Sequence, residues 1–335
     1  MLTRWSHTAR QAPATRRARR APGRPRPRAG LGHWLPAALT FTLVLAHAQA
    51  GAQTRFTYSR GQSVSPAYEG WWQNDDGSYS MFFGYMNSNW EEELDVPIGP
   101  DNHIEPGGPD RGQPTHFYPR RNLFLFTVVV PPDFGDREVI WTLTTNGRTE
   151  RAYGTLRTDY LLDRQTIATE MGANFGRVRD EWRDNEFPTL SLAVDQPRRV
   201  RVGEPLRLVA FVSDDGLPSG SYEPPRVEPG KPHPAYTPPR QIVPGNPPGL
   251  RFSWMVYRGD ASNVTFGPHQ LKTWQDTRVY SNSPWSPPYI LPPVPPDGRW
   301  EVNATFDEPG TYVLRAVAGD SALQTGENLT VTVTR

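Results

Sequence analysis

Hydrophobic and polar residues alternate along much of the second half of the chain. One phase of residues 205–216 holds Leu206, Leu208, Ala210 and Val212. One phase of residues 306–320 holds Tyr312, Leu314, Ala316 and Ala318, while Arg315 lies in the other phase. A period of two residues is typical of a strand with one buried face. With a last predicted strand at residues 327–334, the pattern indicates a β-sandwich domain over residues 189–335.

The first half of the chain also predicts strands. Residues 122–130 are apolar on both faces, which favours a central strand, and Pro131 and Pro132 end it. Residues 139–156 alternate and turn at an Asn-Gly pair, a strong hairpin signal. At least five strands without a convincing helix predict an N-terminal β-sandwich over residues 54–162. Residues 163–188 are predicted to be a charged linker with one helical turn near Glu181 and Trp182.

Several short motifs in the second half match one known pattern. Trp254 lies in a strand that a Gly259-Asp260 turn follows, Ser213-Asp214-Asp215-Gly216 closes an earlier strand, and Pro309-Gly310-Thr311-Tyr312 opens a later one. The chain here resembles the PKD-like branch of the immunoglobulin-like folds. In an immunoglobulin-like sandwich such a tyrosine bonds to backbone upstream, and the residue two places on packs beside the tryptophan. Tyr312, Leu314 and Trp254 take those places, and Gly310 is expected at positive φ in a type II turn.

The match to that family has two departures. The tryptophan is followed by Met255-Val256-Tyr257 where many members carry Asp-Phe-Gly, and two proline-rich insertions interrupt the domain. The resemblance implies a spacer or a module that contacts proteins or carbohydrates. The fold class predicted for the whole chain is therefore all-β, with two immunoglobulin-like antiparallel β-sandwiches in tandem after a signal peptide.

The first 50 residues differ in composition from the rest. They contain nine arginines and no acidic residue, an apolar run at 35–46 and a small-residue pattern up to Ala50. This order predicts a secretory signal peptide. An uncleaved membrane anchor and a start codon further downstream remain alternatives. The rest of the chain holds 27 basic and 35 acidic residues, which argues against nucleic acid and anionic membranes as partners.

The composition and a resemblance indicate the source of the protein and its cellular location. Arginine outnumbers lysine 34 to 2, which indicates a bacterial source, so the three N-glycosylation sequons are interpreted as accidental. The N-terminal half is similar to exported bacterial proteins. The predicted location is the periplasm, the cell surface or the extracellular space. With no cysteine in the chain, its stability has to come from hydrophobic cores rather than disulfides.

The two insertions supply the candidate contact residues. Residues 217–249 contain eleven prolines, and residues 281–298 contain seven together with Trp285 and Tyr289. Such segments favour extended conformations and do not form central strands. Trp285 and Tyr289 are the candidate contact residues for an envelope protein or polysaccharide. The alternative is that the insertions pack along the sandwich edge, where proline also blunts aggregation.

Motifs for catalysis and metal binding are scarce. The sequence has no nucleophile elbow, zinc-protease motif, P-loop or dinucleotide fingerprint. The four histidines after the leader lack ligand spacing: His103, His116, His233 and His269. No cofactor is predicted, although two acidic loops, at residues 74–77 and 101–105, leave calcium open. Such loops are more often ordinary turns.

Two classes of function remain. The favoured one is a non-catalytic binding or structural module, and the alternative is a carbohydrate-active hydrolase with paired carboxylates. The acidic residues available for the second class are expected to form a solvated face: Glu91, Glu92, Glu93 and Asp95. Trp71, Trp72 and Trp90 could stack on sugars, but core packing is the favoured interpretation.

Overall fold

The computed structural model describes residues 59–173, 178–193, 198–220, 229–231, 248–273 and 291–335. The leader at 1–50, Trp285, Tyr289 and His233 lie outside the described residues. Residues from Thr57 to Arg335 cluster as one compact unit. The domain boundaries at 54–162, 163–188 and 189–335 therefore stay a prediction. No helix of the described part is long and apolar enough to cross a membrane.

Eight strands build the first sandwich. They are β1 (Val64–Gln73), β2 (Tyr79–Asn87), β3 (Leu94–Asp95), β4 (Asn102–Glu105), β5 (His116–Phe117), β6 (Arg120–Val130), β7 (Val139–Thr145) and β8 (Arg148–Gly154). The main sheets have the orders β1-β2-β6 and β4-β7-β8, and β3 pairs with β5. The predicted central position of residues 122–130 is wrong, because β6 lies at the edge of its sheet. All of these pairings are antiparallel. The core between the sheets centres on Phe83, Phe126 and Trp141, with Trp141 fully buried.

In the described residues, eight strands also build the second sandwich. They are β9 (Thr189–Leu192), β10 (Arg199–Arg201), β11 (Leu206–Ser213), β12 (Arg251–Arg258), β13 (Val264–Gly267), β14 (Arg299–Phe306), β15 (Gly310–Gly319) and β16 (Gln324–Thr334). One sheet has the order β9-β11-β14-β13 and the other β10-β16-β15-β12. These orders correspond to strands A-B-E-D and A′-G-F-C of an immunoglobulin-like sandwich. Strand β10 pairs with β16 in parallel, and the other pairings are antiparallel.

The interior of the second sandwich confirms the sequence prediction. Trp254, Tyr312 and Leu314 lie in one buried cluster, with exposures of 1%, 4% and 0%. The Tyr312 hydroxyl donates to the Glu308 carbonyl at 3.1 Å, which is the tyrosine-corner bond of this fold. The predicted turn at Gly259 is present with φ of 103°, and a Cβ there would lie 2.7 Å from the Tyr312 ring.

One predicted detail of this region is wrong. Gly310 is not among the glycines with positive φ. It already belongs to β15, where it pairs with Val333. The ladder to β16 therefore starts one residue earlier than a type II turn would allow. The all-β prediction of two antiparallel sandwiches in tandem is confirmed.

The segment between the sandwiches is folded. Helix α1 (Arg164–Glu170) is capped by Asp163, whose carboxylate accepts from the Thr166 amide at 2.7 Å. A 3-10 turn at Asp180–Arg183 confirms the predicted helical turn. Trp182 is fully buried in a third cluster that includes Ile167 and Leu323. The seven-residue helix was not predicted, because its buried stripe contains only Ile167 and Ala168.

Candidate functional site

The candidate site is the junction between the two sandwiches, where apolar and polar contacts lie side by side. Met255 and Tyr257 of β12 are 4% and 1% exposed, and both pack in the hydrophobic cluster of the first sandwich. The Tyr257 hydroxyl donates to the Gly112 carbonyl at 2.6 Å, and the Thr115 amide donates to the Tyr257 carbonyl at 3.1 Å. The outer face of the second sandwich is therefore part of the first sandwich's core.

A fork-shaped ion pair borders this apolar contact. Two guanidinium nitrogens of Arg258 donate to the two carboxylate oxygens of Asp110, at 2.8 and 2.7 Å. Arg258 also donates to the Gln113 carbonyl at 2.8 and 3.0 Å. The hydrogen bonds from Arg258 lower the pKa of Asp110, although partial burial opposes them. Bidentate pairs of this kind fix orientation as well as adding attraction.

A buried histidine bridges two carboxylates beside the same contact. The Nδ1 of His116 lies 2.9 Å from Asp95, and its Nε2 lies 3.0 Å from Glu93. The His116 side chain is 2% exposed, whereas the two carboxylate side chains are about 41–42% exposed. Carboxylates only accept hydrogen bonds, so both ring nitrogens must donate and the ring is an imidazolium.

The charge of His116 is set by two opposing effects. Burial lowers the pKa, but the hydrogen bonds and charges of Asp95 and Glu93 outweigh it and raise the pKa to about 9. The ring packs edge-on against Tyr118 at 4.5 Å between centroids. The Tyr118 oxygen in turn accepts from the Val256 amide of the second sandwich at 2.9 Å. The triad of Glu93, His116 and Asp95 therefore packs against Tyr118, and Tyr118 bridges the junction.

Glu91, Glu93 and Asp95 are exposed, as the sequence predicts, but the structure adds a partner for two of them. Glu93 and Asp95 do not form a purely solvated face, because they lie on either side of His116. The Glu92 carboxylate accepts from the Gly61 amide. This site was not predictable from the sequence, because the pairing of β3 with β5, which brings His116 to the carboxylates, joins segments more than 20 residues apart.

Polar side chains of the two candidate calcium loops form hydrogen bonds with other residues of the chain. Asp76 accepts from the amide and hydroxyl of Ser78 at 2.9 and 2.6 Å, as in an ordinary Asx turn. Asn102 is fully buried, donating to Val96 and Pro114 and accepting from Trp141 Nε1. Within the described ranges, no group of three or more histidine or acidic side chains is arranged to hold a metal ion.

The remaining sequence candidates do not come together. Trp71 packs on Tyr79 and the first core, whereas Trp72 points to the other side of β1 and packs on Phe82 and Phe187. Trp90 lies under the Arg120 guanidinium at 3.9 Å. Packing is therefore the role observed for these tryptophans. The Nδ1 atom of His103 lies 2.9 Å from the carbonyl oxygen of the nearby Pro100.

A second buried carboxylate was not predicted. Asp320, in the β15–β16 turn, accepts from the Ala322 and Leu323 amides and from the Asn185 side chain. Burial raises its pKa to about 6, although these hydrogen bonds oppose the rise. The Asn185 contact spans 135 residues and ties the linker to the second sandwich. No local pattern in the sequence marks a contact at that separation.

Comparisons with known proteins give only distant likenesses. No family model and no curated protein matches the chain. Among solved structures, the PKD domain of an M14-like peptidase from a Thermoplasmatales archaeon is 14% identical, with a TM-score of 0.20, over 45% of this chain and 99% of that one. The D00-D0 domain of intimin is 11% identical, with a TM-score of 0.22, over 81% and 100% of the two chains.

A third likeness has the same character. The Yersinia pseudotuberculosis adhesin InvE is 8% identical, with a TM-score of 0.21, over 81% of this chain and 58% of that one. TM-scores this low carry no argument about the present chain. The immunoglobulin-like assignment rests instead on the strand order and on the Tyr312 corner.

Proposed function

We propose that the chain is an exported, non-catalytic module of the bacterial envelope that mediates contacts with proteins or polysaccharides. The observation that carries this proposal is the shared core at the junction, where Met255 and Tyr257 of one sandwich are buried in the other. Inter-domain surfaces are usually polar and permit motion unless they are large and hydrophobic. This junction holds two sandwiches in one relative orientation, as a spacer or a rigid contact module requires.

The chemistry of the junction favours a structural role over catalysis. In the triad, each carboxylate binds one nitrogen of a single imidazolium. A glycoside hydrolase needs two carboxyl groups that face a substrate across a cleft, one as acid and one as base or nucleophile. Glu93 and Asp95 instead neutralise His116 and hold the ring against Tyr118. We therefore assign this cluster to positioning the junction.

The contact surface belongs to the proline-rich insertions in this proposal. Exposed aromatic side chains on extended, preordered segments lose little entropy on binding, and aromatic residues dominate many interfaces. Trp285 and Tyr289 are the residues proposed to make contact. The basic leader with its apolar run supports export, and the acidic remainder of the chain supports partners other than nucleic acid.

Binding to defined envelope polymers tests the proposal. The purified protein is incubated with peptidoglycan sacculi and with a polysaccharide array, and the bound fraction is compared with that of Trp285→Ala/Tyr289→Ala. We expect at least tenfold weaker binding by the double variant, with an unchanged melting temperature. The matched control is Tyr153→Ala/Tyr160→Ala, which removes two aromatic residues that are 49% and 43% exposed.

Two outcomes would contradict the proposal. Equal binding by the wild type and Trp285→Ala/Tyr289→Ala would place the contact surface elsewhere. Hydrolysis of any glycan or ester in a broad substrate screen, lost on replacing Glu93 or Asp95 by the amide, would favour the hydrolase. Export is tested separately by following the processed chain in periplasmic and surface fractions.

A further inference from the structure

A small cavity lies between the two sandwiches, next to the apolar part of the junction. Its volume is about 160 Å³. The first sandwich contributes a continuous stretch of edge strand β6, from Asn122 to Thr127, and the second contributes Met255, Arg315, Val317 and the start of β16. An engineered cavity of about 150 Å³ is large enough for benzene, so a ligand of about six heavy atoms fits this size class.

The charge of Arg315 distinguishes this cavity from an ordinary packing defect. Arg315 lies in the outward phase of β15, between the half-buried Val313 and Val317 that pack on the first sandwich. Its guanidinium donates to the Asn328 side chain at 2.8 Å and lies 5.0 Å from the centre of the Tyr257 ring. Both partners are uncharged, and across the described residues no ion pair joins Arg315 to a carboxylate.

The backbone around Arg315 leaves room for its guanidinium. A Cβ on Gly326 would lie within 2.6 Å of three guanidinium atoms, so only glycine permits this side-chain position. On the opposite wall, the β2–β6 register shifts near Phe124, which has φ of 46°. Gln324 donates to the Leu123 carbonyl at 2.9 Å and holds this wall in place.

The composition of the lining specifies the class of ligand. The described lining residues include one cation, Arg315, and no carboxylate. They also include hydroxyl or amide side chains: Asn122, Thr127, Thr273, Gln324 and Thr325. A guanidinium in a partly apolar setting is poorly compensated by neutral partners, and its fork matches the oxygens of a carboxylate or a phosphate. A singly charged carboxylate is the better match for a cavity with one cation, because a second negative charge would be buried without a partner. We propose that this cavity binds a small carboxylate anion through Arg315.

The experiment follows the backbone amide signals of Leu123 and Gly326, which line the cavity and are present in every variant, by NMR during titration of the purified protein with sodium acetate. The Arg315 side-chain Nε–Hε signal is followed as well wherever Arg315 is present. Sodium chloride at matched ionic strength controls for screening. We expect a saturable shift with a dissociation constant of about 1 mM, given the small number of atoms that acetate offers. Sodium phosphate is the second probe, and it distinguishes a carboxylate site from a general oxyanion site.

Two variants and a control complete the test. Arg315→Gln should weaken acetate binding by about tenfold or more, because it removes a charge-assisted bond. Arg201→Gln, which removes an exposed arginine of β10 in the same sheet, should bind as the wild type does. Thr127→Trp leaves the charge intact and places a large side chain at an exposed residue of the lining, so it should also lose binding.

Each result decides the proposal. A wild-type signal that follows acetate no more than chloride would overturn it, as would tenfold tighter binding of phosphate than of acetate. Equal affinity of Arg315→Gln and the wild type would also overturn it. If Arg315→Gln fails to fold, folded Thr127→Trp with wild-type affinity would overturn the proposal, and loss of binding would support it. None of these results depends on the envelope contacts proposed above.

Discussion

The two faces of the sheet that contains β12 are both buried, but by different partners. Trp254 and Val256 point into the second sandwich's own core, whereas Met255 and Tyr257 point into the core of the first. The inner face is required by the immunoglobulin-like fold itself. The outer face is buried only because another sandwich covers it. As a result, β12 has six consecutive buried residues, Phe252 to Tyr257, instead of an alternation of buried and exposed ones.

The largest effect is expected on the inner face. Leu314→Ala removes a fully buried side chain beside Trp254, and the cavity should lower the free energy of unfolding by about 2–5 kcal/mol. Chemical denaturation followed by tryptophan fluorescence measures the change. An unchanged melting temperature would argue against the assigned core.

The second effect concerns the charge at the junction. The folded pKa of His116, about 9, lies above its usual value of 6.5. Its stabilising contribution is therefore complete below about pH 6.5 and is lost as the pH rises through about 9. We expect a loss on the order of 2–3 kcal/mol across this window, measured by denaturation at several pH values. His116→Gln should flatten the profile, and His103→Gln should leave it unchanged.

The smallest effect is expected on the outer face. Met255→Ala should lower the free energy of unfolding by about 2 kcal/mol, the lower end of the range for core truncations, because Met255 already borders the junction cavity and has less packing to lose. Hydrogen exchange shows where the change acts. The Thr115 and Val256 amides, which bond across the junction, should lose more protection than the Leu314 amide. Equal loss at all three amides would mean that the faces are not separable.

These two faces also separate what the sequence could predict from what it could not. The inner face was predictable because alternation and the Trp254, Gly259 and Tyr312 motifs are local features. The outer face was visible only as a departure from the family pattern, with Met255 in place of aspartate and Tyr257 in place of glycine. The structure supplies the physical reason. A polar side chain at position 255 would be buried against the first sandwich and would lose its hydration, which is costly.

The candidate site and the buried linker were likewise not predictable from local sequence patterns. The site at His116 depends on a two-residue pairing of β3 with β5, which is too short to leave a periodic signal. The linker carries a buried tryptophan, Trp182, but its partner Leu323 lies at the far end of the chain. Contacts of this length are set by tertiary packing, which residue periodicity does not encode. The candidate residues Trp285 and Tyr289 remain a prediction from composition.

The parallel pairing of β10 with β16 has a mechanical consequence. Strand β10 follows β9 along the chain, and β16 leaves the pair towards the C-terminal end of the chain. Tension along the polypeptide would pull these strands from opposite ends. The bonds from Thr332 to Arg198 and from Val202 to Thr334, both 2.8 Å, would be sheared together rather than broken one after another. A module stretched between two anchoring points would therefore load the pairing of β9 with β11 first and this short ladder next.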